Sequence, residues 1–153
     1  MRHIINILKP QTRSGRVYLI VLSSYLLLLL TSCNPEERCD VPMGDATCQL
    51  ELMNYPNLLG GAGYEYLVGG YQGLVVIRVG MEEFVTYERT CPHDEGRLEV
   101  SKDYGNTVLE CPLCHSRFNA FADGTPLDGS HTACPLYHYS THYSNGILYI
   151  SNW

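Results

Sequence analysis

The chain has 153 residues, with 10 Lys+Arg against 16 Asp+Glu and a formal net charge of −6 at neutral pH. That length holds one domain and little else. The acidic balance argues against nucleic acid and anionic lipid headgroups as partners, because both repel a surface of their own sign.

The first segment reads as an export signal. Arg2, Lys9, Arg13 and Arg16 make a basic start with no acidic residue, and residues 17–30 form a mostly apolar run that includes Leu26 and Leu30. A membrane-spanning helix needs about 20 apolar residues, so a run of this length suits a signal peptide instead. Leu30-Thr31-Ser32-Cys33 then resembles the bacterial lipobox, in which small residues precede a Cys that is acylated and becomes the new N-terminus. The expected division is a lipoprotein signal peptide over residues 1–32, a tether over 33–46 and one domain over 47–153. Cys33 is the expected lipidation site. The protein is expected in the bacterial cell envelope, lipid-anchored and extracytoplasmic, with inner or outer membrane left open. An ordinary secretory signal with an incidental Cys is the alternative. Cleavage before Cys33 leaves 6 Lys+Arg against 16 Asp+Glu, a net charge of −10. The tether holds Pro35 and Pro42, several charges and no hydrophobic periodicity.

Beyond the tether the signals are all β. Residues 47–52 alternate, with Cys48, Leu50 and Leu52 on one face. Residues 64–68, 74–79 and 84–88 are short β-branched and aromatic runs, punctuated by Gly60-Gly61, Gly69-Gly70 and Gly80. Residues 97–101 and 107–110 flank Asp103-Tyr104-Gly105-Asn106, a hairpin turn. Residues 136–142 and 147–150 are joined by Ser144-Asn145-Gly146. No stretch keeps a 3.6-residue period for three helical turns. About nine short strands with Gly-rich turns imply an antiparallel sandwich or small barrel.

Chemistry concentrates in two boxes, Cys91-Pro92-His93 and Cys111-Pro112-Leu113-Cys114-His115, each at the exit of a predicted strand, with the residue 97–110 hairpin between them. Two loops at the tips of adjacent β units can meet in space, as a metal site requires. Thiolates bind iron or zinc, and imidazole suits either.

From about Leu74 to the C-terminus the chain resembles the Rieske family. Those proteins carry C-x-H and, after a similar interval, C-x-x-H followed by Gly and Ser. Cys91 and His93 match the first box; Cys111, Pro112, Ser116, Arg117 and Phe118 match the second. The stretch Gly124-Thr125-Pro126-Leu127-Asp128-Gly129, then Pro135-Leu136 and Tyr139, and the closing Gly146-Ile147-Leu148-Tyr149, also follow the family layout. The resemblance implies an all-β Rieske-like fold, an antiparallel sandwich or small barrels with two ligand loops at one tip. It implies a [2Fe–2S] cluster passing single electrons to a redox partner protein, either as a carrier or as a component of an oxidoreductase.

The ligand box departs from the family. Cys114 stands where the family has its second His, and His115 where it has Gly. Cys91, His93, Cys111 and Cys114 therefore make the expected set, with His115 as an alternative to Cys114. The family's extra disulfide would need Cys at Gly96 and Leu113, and neither is present. Ser116 and Phe118 are cluster-tuning positions. Ser116 offers a hydrogen bond, and Phe118 lacks the hydroxyl that higher-potential members supply from Tyr. A thiolate replacing one imidazole adds negative charge, so the potential is expected below the two-His range.

Three other readings stay open on these residues. The same donors could hold a structural zinc. Cys111-Pro112-Leu113-Cys114 could be a thioredoxin-like redox pair, although no helix follows to lower a thiol pKa. The domain could also have lost its metal: Arg13-Ser14-Gly15-Arg16 holds no adjacent arginine pair, as a signal for folded export would, and bare thiols exported unfolded can pair by oxidation. Of the remaining cysteines, Cys39, Cys48 and Cys134, one is left over, and Cys39–Cys48 is a bridge suggested by proximity alone. His131, His138 and His142 read as solvated strand residues. No acid–base or nucleophile–base pair appears, which favours an electron carrier over a stand-alone enzyme.

Overall fold

In the computed structural model the described residues are 39–152. The signal, Cys33 and the first part of the tether lie outside them. Of the two units into which the chain divides, Glu37–Trp153 holds all that follows.

Among the described residues ten strands form, in chain order β1 (Cys48–Glu51), β2 (Tyr64–Leu67), β3 (Leu74–Arg78), β4 (Phe84–Glu88), β5 (Glu99–Ser101), β6 (Val108–Glu110), β7 (Arg117–Asn119), β8 (Thr125–Pro126), β9 (His138–Ser144) and β10 (Ile147–Ser151). The helical segments among the described residues are three 3₁₀ turns. A six-stranded sheet runs β1-β10-β9-β4-β3-β2 and a four-stranded sheet β5-β6-β7-β8. Every pairing is antiparallel. The all-β expectation holds.

Strand β3 explains why there are two cores. It is buried on both faces, as its run Leu-Val-Val-Ile suits. Side chains alternate along a strand, so Val75 and Ile77 join one cluster, with Tyr87, Leu98, Leu109 and Phe118. Leu74 and Val76 join the other, with Leu50, Leu58, Tyr139 and Leu148. Cys91 and Cys111 belong to the first cluster, so the metal-competent loops root in the layer between the two sheets.

Specific contacts hold the small sheet on the large one. Leu98 N–H donates to Arg89 O at 2.7 Å, and the Arg89 Nε–H returns to Leu98 O at 2.9 Å. Tyr87 Oη–H reaches Ala120 O at 2.9 Å, and Val100 N–H reaches Tyr66 Oη at 2.8 Å. The Arg89 guanidinium lies 3.8 Å from the Tyr66 ring centroid, close enough for a cation–π contact. The β9–β10 turn carries positive φ at Asn145 (51°) and Gly146 (83°), which is what a two-residue hairpin of matching twist needs.

One expectation changes. Cys39 pairs with Cys134 rather than Cys48, across a sequence separation of 95. Sequence proximity misled because the fold returns the loop after β8 to the start of the domain. Cys48 is the odd thiol, half-buried on β1. A loop of that length is worth roughly 4–5 kcal/mol in the chain-entropy account of disulfides. The second half of the expected tether is also bound to the domain. Gly70 N–H donates to Asp45 O at 2.9 Å, Ala46 N–H to Asn152 Oδ1 at 2.9 Å, and Ala46 is buried.

Candidate metal centre

The first loop leaves β4 through Arg89 and Thr90, and a bridge between Thr90 and Arg97 closes its base. The second joins β6 to β7. Both loops turn back on themselves with their cysteines inside: Cys91 and Cys111 are each 0% exposed. Cys114 is half-buried and packs against the same cluster.

Three of the sequence-predicted donors converge. Cys91 Sγ lies 3.7 Å from Cys114 Sγ, and one donor atom from each of Cys91, Cys111, Cys114 and Asp94 lies within 4.8 Å of all the others. Asp94 is a member that the sequence pattern did not single out. Its Oδ1 accepts from the Cys111 thiol at 3.3 Å and from Gly96 N–H at 2.9 Å. His93 is not in that group. Its exposed ring stacks on His131, with centroids 5.5 Å apart and planes 28° from parallel.

His115, the alternative to Cys114, turns outward. Its side chain is 76% exposed and its Nδ1 lies 3.6 Å from Glu110. Its φ of 60° explains why: it fills the left-handed position where the resembling family has Gly. The tuning positions sit beside the thiols. Ser116 is fully buried, with Oγ 3.2 Å from Cys114 Sγ. That Oγ accepts the His131 N–H at 2.9 Å, so its own proton is available to a deprotonated sulfur. Phe118 is fully buried in the cluster that holds Cys91 and Cys111.

Burial and a neighbouring carboxylate favour the neutral form of Cys91 and Cys111. Burial pushes the Cys91 and Cys111 thiols up, and the neighbouring Asp94 carboxylate adds to this at both. Burial would raise Asp94 as well, but hydrogen bonds from Gly96 N–H and the three thiols outweigh it and hold the carboxyl below its usual range. A carboxylate beside protonated thiols is a site that exchanges protons for a cation.

Gly96 is required by packing. A Cβ there would lie 2.5 Å from Cys111 Sγ and 3.2 Å from Leu113 Cδ1. The two positions at which the extra disulfide would have stood therefore do face each other.

The family comparison agrees with this layout. The model of the Rieske [2Fe-2S] domain matches residues 50–145. Among solved structures, the chain is similar to the ferredoxin of carbazole 1,9a-dioxygenase from Nocardioides aromaticivorans IC177, at 18% identity and a TM-score of 0.48, over 74% of this chain and 100% of that one. It is also similar to a chain of the complex of reduced oxygenase and oxidized ferredoxin in carbazole 1,9a-dioxygenase, at 28% identity and a TM-score of 0.42, over 60% of this chain and 82% of that one. No curated protein matches. The family match spans both ligand loops and nearly all the strands that carry them, and the chain belongs to the Rieske [2Fe-2S] domain family.

Proposed function

We propose that this chain is a lipid-anchored, Rieske-type electron carrier of the bacterial cell envelope, serving a redox partner protein as a free carrier or as an oxidoreductase component. The observation that carries the proposal is the convergence of Cys91, Cys111 and Cys114 from two loops of a Rieske domain. The donor chemistry fits a [2Fe–2S] cluster, since three thiolates and one further donor supply the four terminal ligands that two irons need. Such a cluster, when bound, supplies a one-electron couple. The chain's own residues would set the conditions for it. Cys91 and Cys111 would bind it from the buried layer between the sheets, Ser116 would offer a hydrogen bond toward Cys114, and the buried Phe118 ring would offer none. Three thiolates where a two-His centre has two would make this centre more negative, which favours a lower potential.

One observation favours a second reading, a single zinc on the same donors. The 3.7 Å between Cys91 and Cys114 sulfurs is close to the edge, about 3.8 Å, of a tetrahedron of thiolates around one zinc at about 2.3 Å. Metal analysis of protein purified in detergent separates the two. The carrier is expected to hold about two irons and two acid-labile sulfides per chain with visible charge-transfer bands. A colourless protein with one zinc would establish the second reading, and a metal-free protein short of free thiols would establish a domain that has lost its centre.

Anchoring rests on residues outside the described ones. Among the described residues no helix is long and apolar enough to cross a membrane; attachment through an acylated Cys33 is supported by the likeness of Leu30-Thr31-Ser32-Cys33 to a lipobox. Cys33→Ser is expected to leave an unprocessed precursor or to release the protein into the soluble fraction. Unchanged mass and unchanged membrane fractionation would remove the lipid from the account.

A further inference from the structure

The two loops share one backbone. In the first, Cys91 N–H donates to Gly96 O at 2.9 Å and Glu95 N–H to Cys91 O at 3.0 Å. In the second, Cys111 N–H donates to Ser116 O at 2.9 Å and His115 N–H to Cys111 O at 2.9 Å. Both patterns run between a cysteine and the residues four and five places on. Both loops also bend at the fourth residue through the left-handed region, Glu95 at φ 57° and His115 at φ 60°. Each is therefore the same knuckle, cut from Cys-Pro-His-Asp-Glu-Gly and Cys-Pro-Leu-Cys-His-Ser.

A shared backbone sends equivalent side chains the same way. The residue two places after each cysteine, His93 or Leu113, is exposed, and Leu113 is 69% so. The residue three places after, Asp94 or Cys114, brings a donor atom to the sulfurs, Asp94 from an exposed position with its Oδ1 3.3 Å from Cys111 Sγ, and these two complete the group of four donors within 4.8 Å. His93 spends its ring face on His131, whose N–H is tied to the buried Ser116.

We infer that Asp94, not His93, is the fourth metal ligand, so that the centre is bound by three thiolates and one carboxylate arranged by an internal near-twofold repeat of the knuckle. The inference rests on the metal-site reading above but not on which metal fills the site, because a carboxylate oxygen serves zinc as well as iron. It departs from the family's own pattern, in which the first loop ligates through the histidine two places after its cysteine.

The test is metal content of the full chain purified in detergent, with circular dichroism as a check on folding. Asp94→Ala is expected to lose at least nine-tenths of the bound metal while keeping its β spectrum. His93→Ala is expected to keep wild-type stoichiometry, and Asp94→Cys to restore it, because that change makes the first knuckle a full copy of the second. Where iron is bound, the electron paramagnetic signal of the reduced protein should lack the strong ¹⁴N coupling of a directly ligated imidazole. Loss of metal in His93→Ala with retention in Asp94→Ala would overturn the assignment while leaving the carrier reading intact, as would a ¹⁴N coupling that disappears in His93→Ala. A wild-type protein with no metal at all would overturn both.

Discussion

Gly96→Ala is expected to strip the centre of its metal while leaving the domain folded. Gly96 is buried where the first loop passes over the second, and its φ is not left-handed, so the substitution brings no backbone strain. What it brings is a methyl group 2.5 Å from Cys111 Sγ and 3.0 Å from Asp94 Oδ1. Ordinary carbon contacts begin at about 3.5 Å, so the sulfur must move by roughly an ångström. A ligand set that has to close around a metal to within about 0.2 Å cannot absorb that. We expect less than a tenth of wild-type metal, at an overpacking cost of about 1–3 kcal/mol in stability. Gly60→Ala is the control, since a Cβ there meets nothing within 4 Å. Full metal content in Gly96→Ala would mean that the two loops bind the metal in a different arrangement.

Glu88→Leu is expected to be the most destabilising single change away from the centre. Glu88 ends β4 with its side chain 0% exposed. Its carboxylate accepts from Tyr71 N–H at 2.7 Å, Gln72 N–H at 2.9 Å, Arg89 N–H at 3.0 Å, the Thr90 hydroxyl at 3.2 Å and the Tyr139 hydroxyl at 2.7 Å. Burial, and then this carboxylate, raise the Tyr139 hydroxyl far above its usual range and keep it a donor. The anion thus anchors the turn from β2 to β3, the exit of β4 toward Cys91, and β9. Leu occupies the space but takes the acceptor from Tyr71 N–H, Gln72 N–H and the Thr90 hydroxyl, at about 1–3 kcal/mol for each that water cannot reach, while Arg89 N–H keeps Gly73 O and the Tyr139 hydroxyl keeps Gly44 O. A net loss of about 3–5 kcal/mol is expected in denaturant unfolding, or a melting temperature lower by some tens of degrees. A loss under 1 kcal/mol would show that water replaces the carboxylate. Because the same group fixes the start of the first metal loop, metal loading should fall with stability and recover under conditions that restore folding.

The two sites differ in how far the sequence discloses them. Strands with dense β-branched and aromatic runs are legible nearly to the residue: the run at 84–88 is β4 as it stands, and the 74–79 run is β3. β7 and β8 escape the pattern, because three residues and two residues are too short to show a period, and both gain their pairing from β6 and each other. The Cys39–Cys134 bridge depends on where the fold returns the chain and has no local signal. At the centre, Cys91, Cys111 and Cys114 are legible because thiols clustered in two boxes at strand exits suit metal binding better than packing. Asp94 is hidden behind the C-x-H match, which points to His93. Yet aligning the two boxes on their cysteines sets Asp94 opposite Cys114, a signal present in the sequence. Glu88 has no such signal, since a carboxylate at the end of a strand ordinarily faces water.

If two knuckles of a Rieske domain hold a redox-active iron centre, iron and sulfide must travel with the protein. Iron and acid-labile sulfide analysis of the full chain, purified anaerobically in detergent, tests this most directly when paired with an absorption spectrum before and after dithionite. About two irons and two sulfides per chain are expected, with visible bands that bleach on reduction and return in air. One zinc per chain and a spectrum indifferent to dithionite would contradict it.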